Sequence, residues 1–204
     1  MFRSSLAVIF FITISLYAQN KWSVEINGGI VIPNNAKNGT VFQFKTNYSI
    51  NEHVTFFTSI NYQSYGFMKR IISTENRLNI FDEERDHKNY TFSTGSSWNF
   101  ISFKTLKGFF LAEVGLGYLE YNKNRLQERD INNEISTLAI DTRQNETKLL
   151  YNVGLGFGVS NKLTESIDVN LIMKLSSFGG KDYTKISEKN SLITQLLFGV
   201  KYDL

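Results

Sequence analysis

The stretch "YNVGLGFGVS", residues 151–160, places glycines at alternate positions, Gly154, Gly156 and Gly158, with apolar residues between them. Successive side chains of a strand point to opposite faces, so such a strand has one apolar face and one bare, polar face. A phosphate-binding loop needs Gly-x-Gly-x-x-Gly leading into a helix. Here the spacing differs and a turn sequence follows. We therefore predict a β-strand, in which the glycines leave room for inner neighbours such as Phe57 or Tyr65.

The same period-two alternation occurs in seven further stretches of the chain. With the first, the predicted strands cover 22–32, 42–50, 54–63, 90–100, 110–118, 149–159, 167–175 and 192–204. Most are longer than the about 5–6 residues usual in soluble strands. They match the about 9–11 residues with which a tilted strand crosses a bilayer.

The connections between these strands alternate in length. Three are short, at 51–53, 101–108 and 160–166, and two are long, at 67–89 and 122–147. This alternation predicts an all-β, eight-stranded antiparallel up-and-down barrel with short turns at one end and long loops at the other. Both termini then lie at the short-turn end.

The composition of the two faces predicts which one points outward. The polar faces carry Gly, Ser, Asn and Thr, whereas a water-facing surface carries more Lys and Glu. Aromatic residues recur near both ends of the apolar face, as in the two interfacial belts of membrane barrels. The lower belt is Trp22, Tyr48, Phe56, Trp98, Phe110 and Tyr202, and the upper is Phe42, Tyr62, Tyr90, Tyr118 and Tyr151. We predict an apolar outer face in lipid and a polar lumen.

The N-terminus has the features of an export signal. Arg3 precedes an apolar run from Leu6 to Leu16, and Ala18 suits the last position before cleavage. The run is shorter than the about 20 residues that span a bilayer. We predict a signal peptide over 1–18 and one barrel domain over 19–204. The chain has no Cys, so neither a lipoprotein anchor nor a disulfide is expected.

With these strands, and with "LLFGVKYDL" at 196–204, the sequence resembles the eight-stranded outer-membrane β-barrel family, the OmpA/OmpX-like "porin family" fold. The resemblance covers 22–204. The final stretch is similar to the signal read by the barrel-assembly machinery, with Leu204 where an aromatic residue usually stands. The resemblance implies a Gram-negative outer membrane, periplasmic termini, and contacts with membrane lipid and lipopolysaccharide. It does not extend to full-length OmpA-type wall anchors, since we expect no peptidoglycan-binding domain.

Seven charged residues fall on the predicted inner face. They are Glu25, Lys45, Glu113, Asp168, Lys174, Lys201 and Asp203. An eight-stranded barrel is just wide enough for side chains to fill it, and buried charges need partners. We predict an ion-pair network that closes the lumen, with a narrow ion or small-solute pore as the alternative. A net charge of +3 is too mild to indicate nucleic acid.

The chain has two histidines, His53 in a short turn and His87 in a long loop. Acids surround His87 at Asp82, Glu83, Glu84 and Asp86, and the serines that could approach it are Ser64, Ser73 and Ser93. A lipid-modifying enzyme with His87 and a rim serine is a second alternative. No motif of such enzymes matches, and the acids lack calcium-loop spacing. We predict no enzyme and assign no catalytic, cofactor or metal residue.

The long loops contain β-like alternation of their own, in "NRLNIF" (76–81) and "EISTLAIDT" (134–142). We predict that they extend the strands as an extracellular sheet whose edges bind a protein partner by strand addition. The partner would contact loops 67–89 and 122–147. A ten-stranded barrel with 131–142 as an extra hairpin is the alternative fold. The predicted function is non-catalytic, a structural or surface-interaction role.

Overall fold

The computed structural model describes residues 22–34, 37–66, 68–75, 78–131, 134–179 and 192–204, with side chains described except at 68–75, 78–84, 123, 125–131 and 134–146. Nine strands occupy them: β1 (Trp22–Pro33), β2 (Gly39–Ser49), β3 (Val54–Tyr65), β4 (Met68–Glu75), β5 (Leu78–Phe103), β6 (Leu106–Ile131), β7 (Glu134–Lys162), β8 (Ile167–Gly179) and β9 (Leu192–Asp203). No helix in these ranges has the length and apolarity to cross a membrane. The predicted signal peptide lies outside the described residues.

Eight of the strands close into an antiparallel barrel. β1 pairs with both β2 and β9, and β3 pairs with β5, which completes the ring. β5 is shared, because its second half pairs with β3 and its first half with β4. The predicted eight-stranded barrel is therefore confirmed, and β4 adds a hairpin beyond its rim. The ten-stranded alternative is wrong, because the described residues after Glu134 continue β7 and pair with β6.

The strands extend further than the alternation predicted. β5, β6 and β7 have 26, 26 and 29 residues, so the predicted β-structure in the long loops is confirmed for the backbone. The short connection predicted at 101–108 is wrong in its bounds. β5 continues to Phe103 and β6 begins at Leu106. Lys104, with φ of 52°, adopts the left-handed conformation that such a tight turn needs.

The apolar faces point outward and the polar faces point inward, as predicted. On β1, Ile26 is 65% exposed while its neighbour Asn27 is 0% exposed. Aromatic rings meet on the outer face near both ends of the strands. The Trp22 and Tyr48 rings lie 4.9 Å apart at the end with the termini. At the other end Tyr90 lies 5.1 Å from Tyr62 and 4.8 Å from Tyr118.

The register tilts the strands strongly around the barrel axis. If one starts at Asp168 of β8 and moves to the paired residue on each next strand, one full turn around the barrel ends on β8 at Phe178, an offset of 178 − 168 = 10 residues. The residues passed on the way are Lys201, Glu25, Lys45, Ser59, Ser93, Gly115 and Asn152. Such a shear requires tilted strands and sets the barrel width. The offset averages a little more than one residue from each strand to the next, so residues that are not in register can meet inside the lumen.

Candidate functional site

The seven inward charges all form ion pairs, so the predicted pairing is confirmed. Lys174 Nζ lies 2.8 Å from Glu113 Oε1, and Lys45 Nζ lies 3.1 Å from Glu25 Oε2. Near the end with the termini, Lys201 joins two acids, with its Nζ 2.8 Å from Asp168 Oδ2 and 3.3 Å from Asp203 Oδ1.

The Glu113–Lys174 pair reaches over β7 at a point where β7 has glycines and no inward side chains. Glu113 is on β6 and Lys174 on β8, and between them β7 presents Gly154 and Gly156. A Cβ at Gly154 would lie 2.8 Å from Glu113 Cγ, inside van der Waals contact. Asn152 Nδ2 also donates to Glu113 Oε1 at 3.1 Å. The glycines of β7 therefore make room for an ion pair that is 3% and 2% exposed.

The neighbours predicted for these glycines were wrong. A Cβ at Gly158 would meet the ring of Phe109, and Phe57 instead packs on Gly95 of β5, with its Cζ 2.7 Å from a Cβ position there. The strand tilt is the reason, because it decides which inner side chains reach a given glycine.

A second polar network surrounds Glu25. Its Oε1 accepts from Asn27 Nδ2 at 2.9 Å and its Oε2 from Asn47 Nδ2 at 3.4 Å, in addition to the Lys45 contact. Asn27 Nδ2 also donates to Gln43 Oε1 at 2.8 Å, and Gln43 donates in turn to Asn61. These hydrogen bonds and the Lys45 contact replace the water that burial removes from the Glu25 carboxylate.

Two apolar clusters lie in the lumen, and of their members the sequence analysis placed only Phe57 and Tyr65 on the inner side. The lower cluster is Val41, Phe57, Phe109, Leu111, Ile172 and Leu197, and the upper cluster is Val31, Tyr65, Leu119, Tyr121, Leu150, Phe178 and Ile193. The alternation could have revealed them, because these apolar residues occupy inward positions where most other residues are polar. Together with the ion pairs they occupy the interior of the described barrel.

His87 lies in an aromatic stack near the upper mouth, the end from which β4 and the long strands project. Its ring stacks between Tyr65 at 5.0 Å and Tyr121 at 5.4 Å, and its Nδ1 lies 3.0 Å from the Gly66 carbonyl oxygen. Lys148 Nζ lies 5.2 Å from the Tyr121 ring centre. His87 is 1% exposed, so this stack forms part of the packing above the lumen.

The structure does not bring a described serine to His87. Ser93 faces the lumen but lies six residues along β5, about 20 Å away at the rise of an extended strand. Ser64 pairs with Lys88 and faces outward, whereas His87 faces inward. Asp86 is exposed and accepts from Asn122 Nδ2 at 3.0 Å, and His53 is exposed in its turn. The side chains of Ser73, Asp82, Glu83 and Glu84 lie outside the described ones.

No group of three or more His, Cys, Asp or Glu side chains among the described residues is arranged to hold a metal ion. The site is thus a lumen lined by buried ion pairs, amide networks and apolar clusters, in a barrel with an apolar outer surface. These features together define the fold of small outer-membrane barrels.

Comparison with solved structures shows the same fold. The chain is similar to Neisserial surface protein A (NspA), with 14% identity, a TM-score of 0.55 and coverage of 90% of this chain and 97% of that one. It is also similar to a major outer membrane protein from Thermus thermophilus, with 6% identity, a TM-score of 0.56 and coverage of 90% and 99%. No protein-family model and no curated protein matches the sequence. The chain therefore has the eight-stranded outer-membrane barrel fold.

The bare inner face of β7 gives a first prediction. Gly154→Leu should lower the free energy of unfolding by about 1–3 kcal/mol, because the new side chain collides with Glu113. Val153→Leu is the matched control, since Val153 points outward on the same strand, and should change it by less than about 0.5 kcal/mol. Urea unfolding of the protein refolded in lipid vesicles measures both. Equal effects would contradict the packing described.

The Glu113–Lys174 pair gives a second prediction. Lys174→Met should lower the free energy of unfolding by about 3–5 kcal/mol, because it leaves the Glu113 carboxylate buried without its cation. The Glu113→Gln/Lys174→Met double variant should be more stable than Lys174→Met alone, because it removes both charges. Urea unfolding under the same conditions completes the double-mutant cycle. If the losses of stability in Glu113→Gln and in Lys174→Met add up to the loss in the double variant, the two residues do not interact.

Proposed function

We propose that this protein is an integral outer-membrane barrel without catalytic activity, closed to solute passage, whose function is carried by a sheet that projects at the cell surface. The observation that carries the proposal is the contrast within one sheet. Its barrel part is filled by paired charges and apolar side chains, whereas β5, β6 and β7 continue far beyond it.

The filled lumen argues against a pore. Glu113 and Lys174 are buried and paired with each other, so neither charge is available to an ion that moves along the barrel axis. Breaking a buried pair is strongly unfavourable because a charge is left without water or partner. The lower and upper apolar clusters present two further stretches with few groups to coordinate an ion.

The outer surface supports a membrane location. The outward residues of the barrel strands are apolar and the aromatic rings lie near both strand ends, as at the interfaces of a bilayer. An outer-membrane protein of this kind contacts membrane lipid and lipopolysaccharide and is inserted by the barrel-assembly machinery. The short turns share one end with both termini, which by the architecture of bacterial barrels is the periplasmic end.

The projecting sheet is long enough to reach past the lipid headgroups. A strand of 26 residues such as β5 is about 86 Å long at about 3.3 Å per residue, whereas about 9–11 residues of a tilted strand cross the hydrocarbon core. In the described part of the chain, β4 pairs only with β5, and β7 before Tyr151 pairs only with β6. These edges carry backbone groups with which an extended segment of a partner protein would pair.

Planar-bilayer recording provides a third prediction. The purified protein should give no discrete conductance steps at low or high salt, because the described inward charges are paired with one another and two apolar clusters lie inside the barrel. A general porin purified in the same detergent serves as the positive control. Reproducible unitary steps that scale with protein concentration would favour the pore alternative and reject the closed barrel.

Shortening the projecting sheet provides a fourth prediction. Replacing 123–146 by a Gly-Ser turn should abolish binding of cells to extracellular proteins and change their complement or phage sensitivity, while the barrel still folds. Unchanged binding and sensitivity would reject the surface-interaction role.

The same experiment needs a check that the sheet is outside the cell. The chain has no Cys, so a single Thr147→Cys variant reports on one site. A membrane-impermeant maleimide should label it on intact cells. The matched Glu165→Cys variant, in the turn between β7 and β8, should be labelled only after permeabilisation. The reverse pattern would invert the proposed orientation.

A further inference from the structure

The hairpin that joins β5 to β6 carries large apolar residues down to its turn. Phe103 and Leu106, which pair directly beside the turn, are 65% and 45% exposed. Turns in water favour Gly, Pro, Asn, Asp and Ser, whereas this one consists of Lys104 and Thr105 between the two apolar residues. The turn lies at the end of the barrel that holds the termini, and the proposed surface role does not use it.

A β-bulge turns the apolar side of this hairpin outward. The pairing of β5 with β6 shifts between Asn99 and Ile101, and Phe100 and Ile101 are both more than half exposed. Without the shift, Ile101 would point inward like Asn99, because alternate residues of a strand face opposite sides. Asn99 holds the bulge in place, since its backbone N–H donates to the His53 carbonyl oxygen at 2.8 Å and its Nδ2 to the Glu52 carbonyl oxygen at 2.6 Å.

The outer face of β6 accommodates the side chains that the bulge redirects. Ile101 pairs with Gly108, which stands two residues from the outward Phe110, so Ile101 shares the outer face. A Cβ at Gly108 would lie 3.1 Å from Phe100 Cζ, and the Phe100 and Phe110 rings stack at 4.5 Å. The apolar outer wall of the barrel therefore continues into the hairpin as far as its turn.

The length of β5 places this turn at the level of the lipid headgroups. Phe103 follows Tyr90 of the upper aromatic belt by 103 − 90 = 13 residues, one of which is taken up by the bulge. At about 3.3 Å per residue and a tilt of about 40°, the two residues are about 30 Å apart along the barrel axis. Because the apolar band of such barrels is about 25 Å tall, Phe103 lies about 5 Å beyond it, within the headgroup layer.

Lys104 is the charged residue on the outer side of the turn. Its φ of 52° is in the left-handed region, which favours Gly and Asn, so lysine is not the residue that the turn geometry prefers. Its Nζ lies 5.6 Å from the centre of the Phe103 ring, and no described acid pairs with it. The other lysine of the hairpin, Lys107, lines the cavity inside the barrel. In the neighbouring turn, the charges of Lys162 and Glu165 balance.

We propose that the outer side of the β5–β6 turn binds an anionic phospholipid of the leaflet on the side of the termini. Phe103 and Leu106 contact its glycerol region and upper acyl chains, and the Lys104 ammonium contacts its phosphate. The attraction between a basic residue and an anionic headgroup adds to the apolar contact. This site rests on the membrane location proposed above and lies at the end of the barrel opposite to the projecting sheet.

The experiment measures quenching of a single tryptophan by brominated lipids in vesicles. The reporter variant is Trp22→Phe/Trp98→Phe/Phe103→Trp, which keeps an aromatic ring beside Lys104. The bulk lipid is phosphatidylcholine, and a fixed fraction is brominated phosphatidylglycerol or brominated phosphatidylcholine. The anionic lipid should quench more strongly, with a relative binding constant about fivefold higher, the effect of one lysine at an anionic headgroup.

Two lysine variants of the reporter identify the cation. Lys104→Gln should make the two brominated lipids quench equally. Lys107→Gln is the matched control, because this lysine is on the same hairpin but faces the inside of the barrel, and it should keep the preference. A preference that survives Lys104→Gln, or that is lost equally in Lys107→Gln, would overturn the proposal.

A second reporter separates the lipid site from the membrane location itself. Trp98→Phe leaves only Trp22, which lies on the outer face of β1 at the same end of the barrel and should be quenched by both lipids alike. If Trp22 is quenched but the Phe103→Trp reporter is not, the turn lies outside the lipid, where a protein partner could reach it, and only the lipid site is rejected. Equal quenching of the Phe103→Trp reporter by both lipids would reject the anionic ligand. No quenching of either reporter would reject the membrane location and the lipid site together.

Discussion

Closure of the sheet between the first and last strands is the constraint on which the rest of this structure depends. A strand in lipid has no water for its N–H and C=O groups, so every one must pair within the protein. β1 and β9 meet that need along their whole length, from Ser23 with Asp203 to Pro33 with Ile193. Once eight strands close with an offset of ten residues, the lumen is narrow and its side chains must fit one another. The interior chemistry follows from that geometry.

The barrel is stabilised by an interior unlike that of a soluble domain. Its apolar surface lies outside, and its inside combines buried ion pairs, amide networks and two apolar clusters. Charges are tolerated there because each has a partner of opposite sign at 2.8–3.3 Å. Glycines contribute by their lack of a side chain, as where Gly154 leaves space for Glu113. An alanine at that position would already crowd the carboxylate, so the ion pair and the glycines require one another.

The two ends of the barrel differ in what they offer. At the end with the termini, a small polar cavity is lined by acids and lysines, among them Glu25, Lys45 and Lys201. At the other end His87 lies between two tyrosine rings, and above it β5, β6 and β7 continue as a sheet. A filled middle separates these ends.

Period-two alternation, the length of the apolar runs and the alternation of short and long connections determined the eight strands and the outward apolar face, because these properties are local to each segment. The residue types also determined that charges such as Glu113 and Lys174 lie inside and must pair. Only the tertiary structure decided which charge meets which, that Phe57 packs on Gly95, and that His87 is stacked between tyrosines. Those contacts join strands remote in sequence and depend on the tilt and offset of the closed sheet, which no single segment encodes.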